Sequence, residues 1–90
     1  MYELLCEFEE IIVLKTLMNR IDLNFLSKED LEYIAEYIDE NNINIDLEYV
    51  DMLESLYNSQ YDEIEDIYYS WFESINKRYN EVKNGLLKLI

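Results

Sequence analysis

The chain has 90 residues, 50% of them hydrophobic and 14% aromatic, which suits one small folded domain and argues against a disordered acidic tail. Its 21 Asp and Glu residues against 7 Lys and Arg give a formal net charge of −14. This sign opposes binding to nucleic-acid phosphates and to anionic membranes, so we expect no direct nucleic-acid or membrane partner and expect a basic protein surface instead.

Helical periodicity predicts the first two elements. A first helix is predicted over residues 2–20, with an apolar face at steps of three and four residues. That face consists of Leu4, Phe8, Ile11, Leu14, Met18 and Ile21, and Ile12, Val13 and Leu17 are expected to widen it and make this helix the most buried. Ser27 and Asp30 approximate a capping box for a second helix, which is predicted to end near Asn41 and Asn42. Its apolar stripe is Leu31, Ile34, Ala35 and Ile38.

Two further helices are predicted in the second half of the chain. Asp46 is the expected cap of a third helix with the stripe Leu47, Val50, Leu53 and Tyr57. Ser59 or Asp62 is expected to cap a long last helix with the stripe Ile64, Tyr68, Trp71, Ile75, Tyr79, Val82, Leu86 and Leu89. That helix either ends at Gly85 or continues through it at a cost of ~1 kcal/mol relative to alanine. The sequence therefore predicts a single all-α domain over residues 1–90, a small bundle of three or four helices with a long C-terminal helix.

Residue types that carry chemistry are few. The chain has no His, which excludes Ser–His and Cys–His nucleophile pairs and imidazole metal sites, and its single Gly cannot form a phosphate-binding loop. We expect no enzymatic activity, no catalytic residues, no metal and no cofactor. Cys6 is the only cysteine, so no intrachain disulfide can form, and the stretch MYELLCEFEE lacks the basic start of a signal peptide. These features predict a cytoplasmic location.

The negative charge is concentrated in one interval. Between Lys28 and Lys77 there are fifteen Asp and Glu residues and no Lys or Arg, whereas bases dominate the last fourteen residues. Helical spacing turns the acids into rows, of which one is Glu29, Glu32, Glu36 and Glu40. Each like-charge pair in such a row destabilises its helix by a few tenths of a kcal/mol. A solvated helix normally interleaves Lys, so the absence of Lys requires an explanation.

Four interpretations of this interval are open. A solvated acidic face and adaptation to salt are the general ones, and neither accounts for a basic C-terminal segment beside an interval without Lys. Cation binding by carboxylates is the third, although the EF-hand pattern is excluded because its sixth position requires glycine. The fourth is mimicry of nucleic-acid phosphates, because rows of carboxylates on neighbouring helices approach the ~3.4 Å charge spacing of a DNA strand. We favour the fourth.

The tyrosines supply a second signal. Nine Tyr residues in a short chain, several of them beside acids, are typical of a surface that binds. Packing of rings at the boundary of the core is the alternative, and we expect it for Tyr68, Trp71 and Phe72. The predicted partner-binding residues are Glu32, Tyr33, Glu36, Tyr37, Asp39, Glu40, Tyr61, Asp62, Glu63, Glu65, Asp66 and Tyr69.

One stretch resembles a known family. In YNSQYDEIEDIYYSWFE, residues 57–73, a tyrosine, a short turn, a second tyrosine and an acidic run lead into a helix, as in the ArdA-type antirestriction proteins. The matching residues are Tyr57, Tyr61, Asp62, Glu65 and Asp66, while Ser59 stands where a turn glycine is usual. More loosely, the chain is similar to the small acidic phage proteins that act against restriction or CRISPR systems. The resemblance implies mimicry of DNA, with a restriction enzyme or a CRISPR effector as target.

The functional hypothesis is a non-enzymatic acidic inhibitor that occupies the basic groove of a nucleic-acid-binding protein. The alternatives are an immunity protein or antitoxin that neutralises a basic nuclease, and a helical adaptor or dimerisation module with the last helix as its seam. Lys77, Arg78, Lys83 and Lys88 make the end of that helix basic, and the acids of the first helix are Glu3, Glu7, Glu9 and Glu10. Opposite charge therefore predicts that the two pack together, either within one chain or across a homodimer. The wide apolar face of the first helix favours packing within one chain, and a homodimer stays open.

Overall fold

A computed structural model describes residues 2–89 of the chain as four α-helices and two short 3-10 turns. The helices are α1 (Tyr2–Asn19), α2 (Lys28–Glu40), α3 (Tyr49–Asn58) and α4 (Ile64–Lys88), and the turns are Leu23–Phe25 and Tyr61–Glu63. No strand occurs within these residues. The prediction of a small all-α bundle with a long C-terminal helix is confirmed.

The helices α1 and α4 form one antiparallel pair. The Phe8 ring stacks on the Tyr79 ring with 5.4 Å between their centroids. Towards the other end of the pair, the buried Tyr68 hydroxyl donates to the Met18 carbonyl oxygen at 2.9 Å. Residue numbers rise along α1 as they fall along α4, so the basic end of α4 lies beside the start of α1.

The helices α2 and α3 form a second antiparallel pair. Where α2 begins and α3 ends, the Lys28 ammonium donates to the Ser59 carbonyl oxygen at 2.8 Å. The Tyr37 hydroxyl joins this pair to the first by donating to the Glu10 carbonyl oxygen of α1 at 3.4 Å. Partial burial raises the pKa of Tyr37, and the nearby charge of Glu10 adds to the effect.

One hydrophobic core lies between the two pairs. All four helices contribute fully buried side chains, of which the largest are Ile11, Leu14, Met18, Leu31, Ile34, Leu56, Ile75 and Val82. Burial of such a side chain contributes roughly 1.5–3 kcal/mol, so the core is the main source of stability. Tyr68 and Trp71 are also buried and Phe72 is half-buried, which is the boundary packing that the sequence predicted.

The predicted apolar face of α1 is confirmed, because Ile11, Leu14 and Met18 are buried and Leu4, Phe8 and Ile21 pack against the core. The predicted widening of that face and the predicted phase of the α3 stripe are wrong. Ile12 and Val13 are 41% and 47% exposed, because the neighbours of α1 lie only on its α2 and α4 sides, and α4 buries more described side chains than α1 does. On α3, Met52 and Leu56 are buried while Val50 is 70% exposed. The predicted α3 stripe starts at Leu47, which lies in the loop before the helix. Because the helix begins at Tyr49, the residues that face the core are shifted from those predicted.

The ends of α2 are as predicted, whereas the starts of α3 and α4 differ from the prediction. The Ser27 N–H donates to the Asp30 carboxylate at 3.2 Å, the Asp30 N–H donates to the Ser27 hydroxyl at 3.3 Å, and Asn42 leaves the helix with a φ of 51°. Glu48, not Asp46, precedes α3, and the Asp46 carboxylate instead accepts from Lys77 at 3.0 Å.

Neither Ser59 nor Asp62 caps α4. The Ser59 hydroxyl donates back to the Leu56 carbonyl oxygen at 2.7 Å, and a 3-10 turn in which the Gln60 N–H donates to the Glu63 carboxylate at 2.8 Å leads into the helix. At the other end α4 continues through Gly85 to Lys88, so the second of the two predicted endings is confirmed.

Glu7 connects three parts of the fold. Its carboxylate accepts from Arg78 Nε at 2.7 Å and from Arg78 Nη2 at 2.8 Å, and it also accepts from the Asn44 N–H in the α2–α3 loop at 3.2 Å. The two hydrogen-bonded side chains are only 15% and 20% exposed, and the hydrogen bond with Arg78 lowers the pKa of Glu7. The prediction that the basic part of α4 packs on α1 within one chain is confirmed at this pair.

Candidate partner-binding surface

A row of carboxylates lies along the side of α2 that faces α3. Of its members, Glu36, Asp39 and Glu40 are exposed and Glu32 is half-buried. Tyr49 of α3 lies beside this row, since partial burial and the charges of Glu36 and Asp39 raise its pKa. We call this row, which consists of Glu32, Glu36, Asp39 and Glu40, the α2 acidic row.

Tyr57 extends the surface from α2 onto α3. Its side chain is largely exposed, and its pKa is raised by partial burial and by the neighbouring Glu32 carboxylate. The hydroxyls of Tyr49 and Tyr57 therefore remain protonated at neutral pH and can donate hydrogen bonds to the α2 acidic row or to a partner. Sequence reasoning left both out of the predicted binding residues. The two tyrosines are eight residues apart on a short helix, which places them on one face. That spacing was the signal in the sequence that they could form one surface.

Tyr33 and Tyr37 lie on the other side of α2, towards α1. Tyr37 is half-buried with its hydroxyl engaged by the Glu10 carbonyl oxygen, while Tyr33 is exposed. The structure thus brings the α2 acidic row together with Tyr49 and Tyr57 rather than with Tyr33 and Tyr37. A direct contact of Tyr33 with a partner stays a prediction.

The other predicted residues lie around the start of α4. The five residues Tyr61, Asp62, Glu63, Glu65 and Asp66 are all exposed. Tyr69 is exposed on the first turns of α4 and packs edge-on against the Tyr68 ring, with 5.4 Å between the centroids. We call these six residues the α4 acidic start. Glu63 also has a structural role in the turn before α4, whereas the others are available to a partner.

Phe25 is an exposed aromatic residue that sequence reasoning missed. It is 78% exposed, more than any other large hydrophobic side chain within residues 3–89. It precedes Lys28 by three residues, and Lys28 contacts Ser59, so Phe25 lies at the same end of the molecule as Tyr61. Phe25 belongs to none of the apolar stripes of the predicted helices. This absence was the signal in the sequence that its side chain is exposed.

None of the predicted carboxylates forms an ion pair within residues 2–89. Within residues 2–89, ion pairs join Lys77 to Asp46 and Arg78 to Glu7 and Glu81, and none involves the α2 acidic row or the α4 acidic start. Lys28, which separates the acidic interval from the first part of the chain, donates to a carbonyl oxygen instead. The charge of the acidic surface is therefore not neutralised by any ion pair within residues 2–89.

Other kinds of site receive no support from the described part of the chain. No three or more Cys, Asp or Glu side chains in residues 2–89 are grouped so that they could hold a metal ion. Each helix in the same range is too short or too polar to cross a lipid bilayer.

Comparisons with known proteins add no relative. No family model, no curated protein and no solved structure matches the chain. The acidic surface is therefore the basis for a functional proposal. The resemblance to the ArdA-type proteins rests on residues 57–73 alone.

Proposed function

We propose that this protein is a non-enzymatic inhibitor whose carboxylates take the place of nucleic-acid phosphates in the basic groove of a nucleic-acid-binding protein. A restriction enzyme or a CRISPR effector is the kind of target that its chemistry and the resemblance suggest, which would make it an anti-defence protein of a phage or mobile element. It acts by occupying the groove and needs no cofactor.

The supporting observation is the α2 acidic row without any cation. Asp39 and Glu40 stand in the last turn of α2, where the helix dipole is negative and no basic residue is present. Carboxylates at that end destabilise a helix, and the like-charge pairs Glu32–Glu36 and Glu36–Glu40 add a few tenths of a kcal/mol each. A row that lowers the stability of its own helix is explained if it contributes to binding.

The geometry of the rows supports phosphate mimicry. Residues three and four apart on α2 rise ~4.5–6 Å along the helix axis, which is sparser than the ~3.4 Å charge spacing of one DNA strand. The α4 acidic start supplies a second group of carboxylates and brings the total closer to that density. Tyr49, Tyr57 and Tyr61 add contact area beside the charges, as aromatic residues do in protein interfaces.

The test uses two variants with equal charge. The first is Glu32→Gln/Glu36→Gln/Glu40→Gln on α2, and the matched control is Glu3→Gln/Glu9→Gln/Glu10→Gln on α1, so that each removes three negative charges. Immobilised wild-type protein should capture a basic nucleic-acid-binding protein from cells of the native host. Duplex DNA or RNA added as competitor should release it, the α2 variant should capture much less, and the control should resemble wild type.

The dependence on salt and competitor decides between the candidate functions. Association with the captured protein should slow steeply as the ionic strength rises to physiological values, where the Debye length is ~8 Å. Capture that persists undiminished when the partner is saturated with nucleic acid contradicts mimicry and favours an adaptor. Capture of a single nuclease that still holds its nucleic acid favours an immunity protein.

A further inference from the structure

A groove runs between α3 and α4. The closest packing in the fold is between α1 and α4 and between α2 and α3, so α3 and α4 approach each other less closely. At the middle of the groove, Ser55 of α3 and Ser70 of α4 border both of the cavities that form it. Because protein interiors are close-packed, two small side chains at facing positions leave space that larger ones would fill. The groove therefore follows from residue size at these two positions.

The floor of the groove is apolar. A cavity of about 180 Å³ lies beside the buried side chains of Met52 and Trp71, and one of about 430 Å³ lies beside Ser59, just after α3. Ile67 borders both cavities together with the two serines, and its side chain is half-buried. An aliphatic side chain placed on Ile67 would leave water, and this burial favours binding.

Carboxylates border the groove at both ends. Asp51 of α3 borders the first cavity, whereas Glu63 and Asp66 border the second. All three side chains are exposed, and none has an ion-pair partner in the part of the chain that the structure describes. Among residues 2–89, no Lys or Arg lines either cavity. The groove therefore attracts cations at each end and repels anions.

The spacing of the carboxylates defines what the groove accepts. Because the end of α3 and the start of α4 border one cavity, the two helices run in opposite directions. Asp51 is about one turn before Ser55 on α3, and Asp66 is about one turn before Ser70 on α4, so they lie on opposite sides of the middle and ~11–12 Å apart along the groove. An extended segment spans this distance in three or four residues. The matching pattern is an apolar residue between two bases.

We propose that this groove holds a basic segment of a partner protein, with an aliphatic side chain on Ile67 and Lys or Arg side chains beside Asp51 and Asp66. The net charge of −14 attracts such a segment and repels nucleic acid and a second copy of this chain. The site deepens the proposed function, on which it rests for the basic character of the partner. Carboxylates supply the attraction, and the apolar floor selects segments with an apolar residue between their bases.

Titration of isotope-labelled protein with a synthetic peptide, followed by nuclear magnetic resonance, tests the site. The probe is Lys-Lys-Leu-Lys-Lys with blocked ends, and the control peptide has Ser in place of Leu and hence the same charge. Amide signals of α3 and of the first half of α4 should shift most. The control should bind at least about fivefold more weakly, because it has no aliphatic side chain to bury. Equal affinities, or shifts spread evenly over all acidic surfaces, overturn the proposal.

A substitution that fills the groove provides a second test. Ser70→Leu occupies the space beside Ile67 without changing the charge, and it should weaken binding of the Leu peptide at least about fivefold. Asn80→Leu adds the same side chain at an exposed position of α4 that borders neither cavity, and should leave the affinity unchanged. Circular dichroism checks that both variants keep their helices. Unchanged affinity in a folded Ser70→Leu variant contradicts the proposal.

Charge variants test the two ends of the groove. Asp51→Asn/Asp66→Asn should weaken binding of the Leu peptide more than Glu3→Gln/Glu9→Gln does, although each removes two negative charges. Equal weakening means that the peptide responds to net charge alone, and the proposal then fails.

Ser70→Leu also separates this site from the proposed function, because it keeps every carboxylate. If nucleic acid releases the captured native partner and Ser70→Leu captures that partner as well as wild type does, the proposed function stands and the groove proposal fails. If the peptide binds in the groove as expected but nucleic acid releases no captured protein, the groove proposal stands and the proposed function fails.

Discussion

Between α1 and α4 opposite charges meet, whereas between α2 and α3 carboxylates meet tyrosines. Glu7 holds Arg78 through two hydrogen bonds, and Lys15 lies 3.9 Å from the centroid of the Tyr79 ring. In the second pair, Tyr49 and Tyr57 lie beside the α2 acidic row, and no ion pair within residues 2–89 involves that row. Arg78 and Lys15 thus join α4 and α1, whereas Lys28 joins the ends of α2 and α3 by donating to a carbonyl oxygen rather than to a carboxylate.

The difference separates stabilising charges from charges that are available for binding. An ion pair that is mostly buried and fully hydrogen-bonded contributes to folding only while both partners remain charged. Exposed like charges on one helix face lower stability and attract a partner of opposite sign. The comparison predicts that removal of charge destabilises the first pair of helices and stabilises the second.

The largest effect is expected at the Glu7–Arg78 pair. Glu7→Gln keeps the shape of the side chain and removes its charge, so Arg78 is left without its hydrogen-bonded anion in a site that is about four-fifths buried. Charge-assisted hydrogen bonds of this kind contribute ~1.5–3 kcal/mol, and we expect the free energy of unfolding at pH 7 to fall by about 2 kcal/mol. Denaturant unfolding monitored by circular dichroism measures the change.

Acidification should remove the difference between Glu7→Gln and wild type. The pKa of Glu7 is lowered in the folded protein from its ordinary value of 4.5, so its contribution is complete above that value and is lost as the pH falls through the lowered pKa. The two proteins should therefore approach equal stability once the pH is below the lowered pKa of Glu7. Asp46→Asn, which breaks an ion pair with Lys77 that is exposed at both ends, should change nothing measurable. A difference that persists at low pH means that Glu7 acts through packing rather than charge.

A smaller effect of opposite sign is expected at the α2 acidic row. The variant Glu32→Gln/Glu36→Gln/Glu40→Gln removes two like-charge pairs and one charge at the negative end of the helix dipole. These changes should raise the free energy of unfolding by about 1 kcal/mol in total, more at low salt than at high salt. The same denaturant experiment measures the gain.

The matched α1 variant isolates the cause of that gain. Glu3→Gln/Glu9→Gln/Glu10→Gln also removes three negative charges, but Glu3 stands in the first turn of α1, where the helix dipole favours an acid. It should give little or no gain. If the α2 variant is instead less stable than wild type, its carboxylates hold α3 in place through Tyr49 and Tyr57, and the proposed separation of the two regions fails.

Patterns that depend on local spacing were predictable from the sequence. The capping box of Ser27, the buried stripe of α2 and the length of α4 follow from caps and from a regular apolar period within one helix. The phase of α3 was not predictable, because the loop before it places Leu47 outside the helix and a shift of two residues changes which side chains are buried. Ile12 and Val13 were assigned to the core because sequence cannot show which sides of α1 have a neighbour.

The candidate surface shows the same division. The acidic composition of α2 and its exposure follow from the sequence, since the row is opposite the apolar stripe. Its tyrosine neighbours depend on which helix packs beside α2 and in which direction, so Tyr49 and Tyr57 appear only in the fold. Asp46 was expected to cap α3. It instead forms an ion pair with Lys77 of α4, and this contact between distant parts of the chain depends on the fold.

The smallest effect is expected at Gly85, near the basic end of α4. The helix runs through this residue to Lys88 and its φ is not positive, so alanine fits the backbone. An added Cβ meets the Leu4 side chain at 3.7 Å, an ordinary van der Waals contact across the α1–α4 seam. Gly85→Ala should therefore raise the free energy of unfolding by ~0.5–1 kcal/mol through helix propensity. Asn84→Ala, at the exposed neighbouring position, should give a gain of ~0.5 kcal/mol from propensity alone. A smaller gain for Gly85→Ala than for Asn84→Ala means that the seam is too close at Leu4 to accept a methyl group, which would make this end of the α1–α4 pair tighter than the distance indicates.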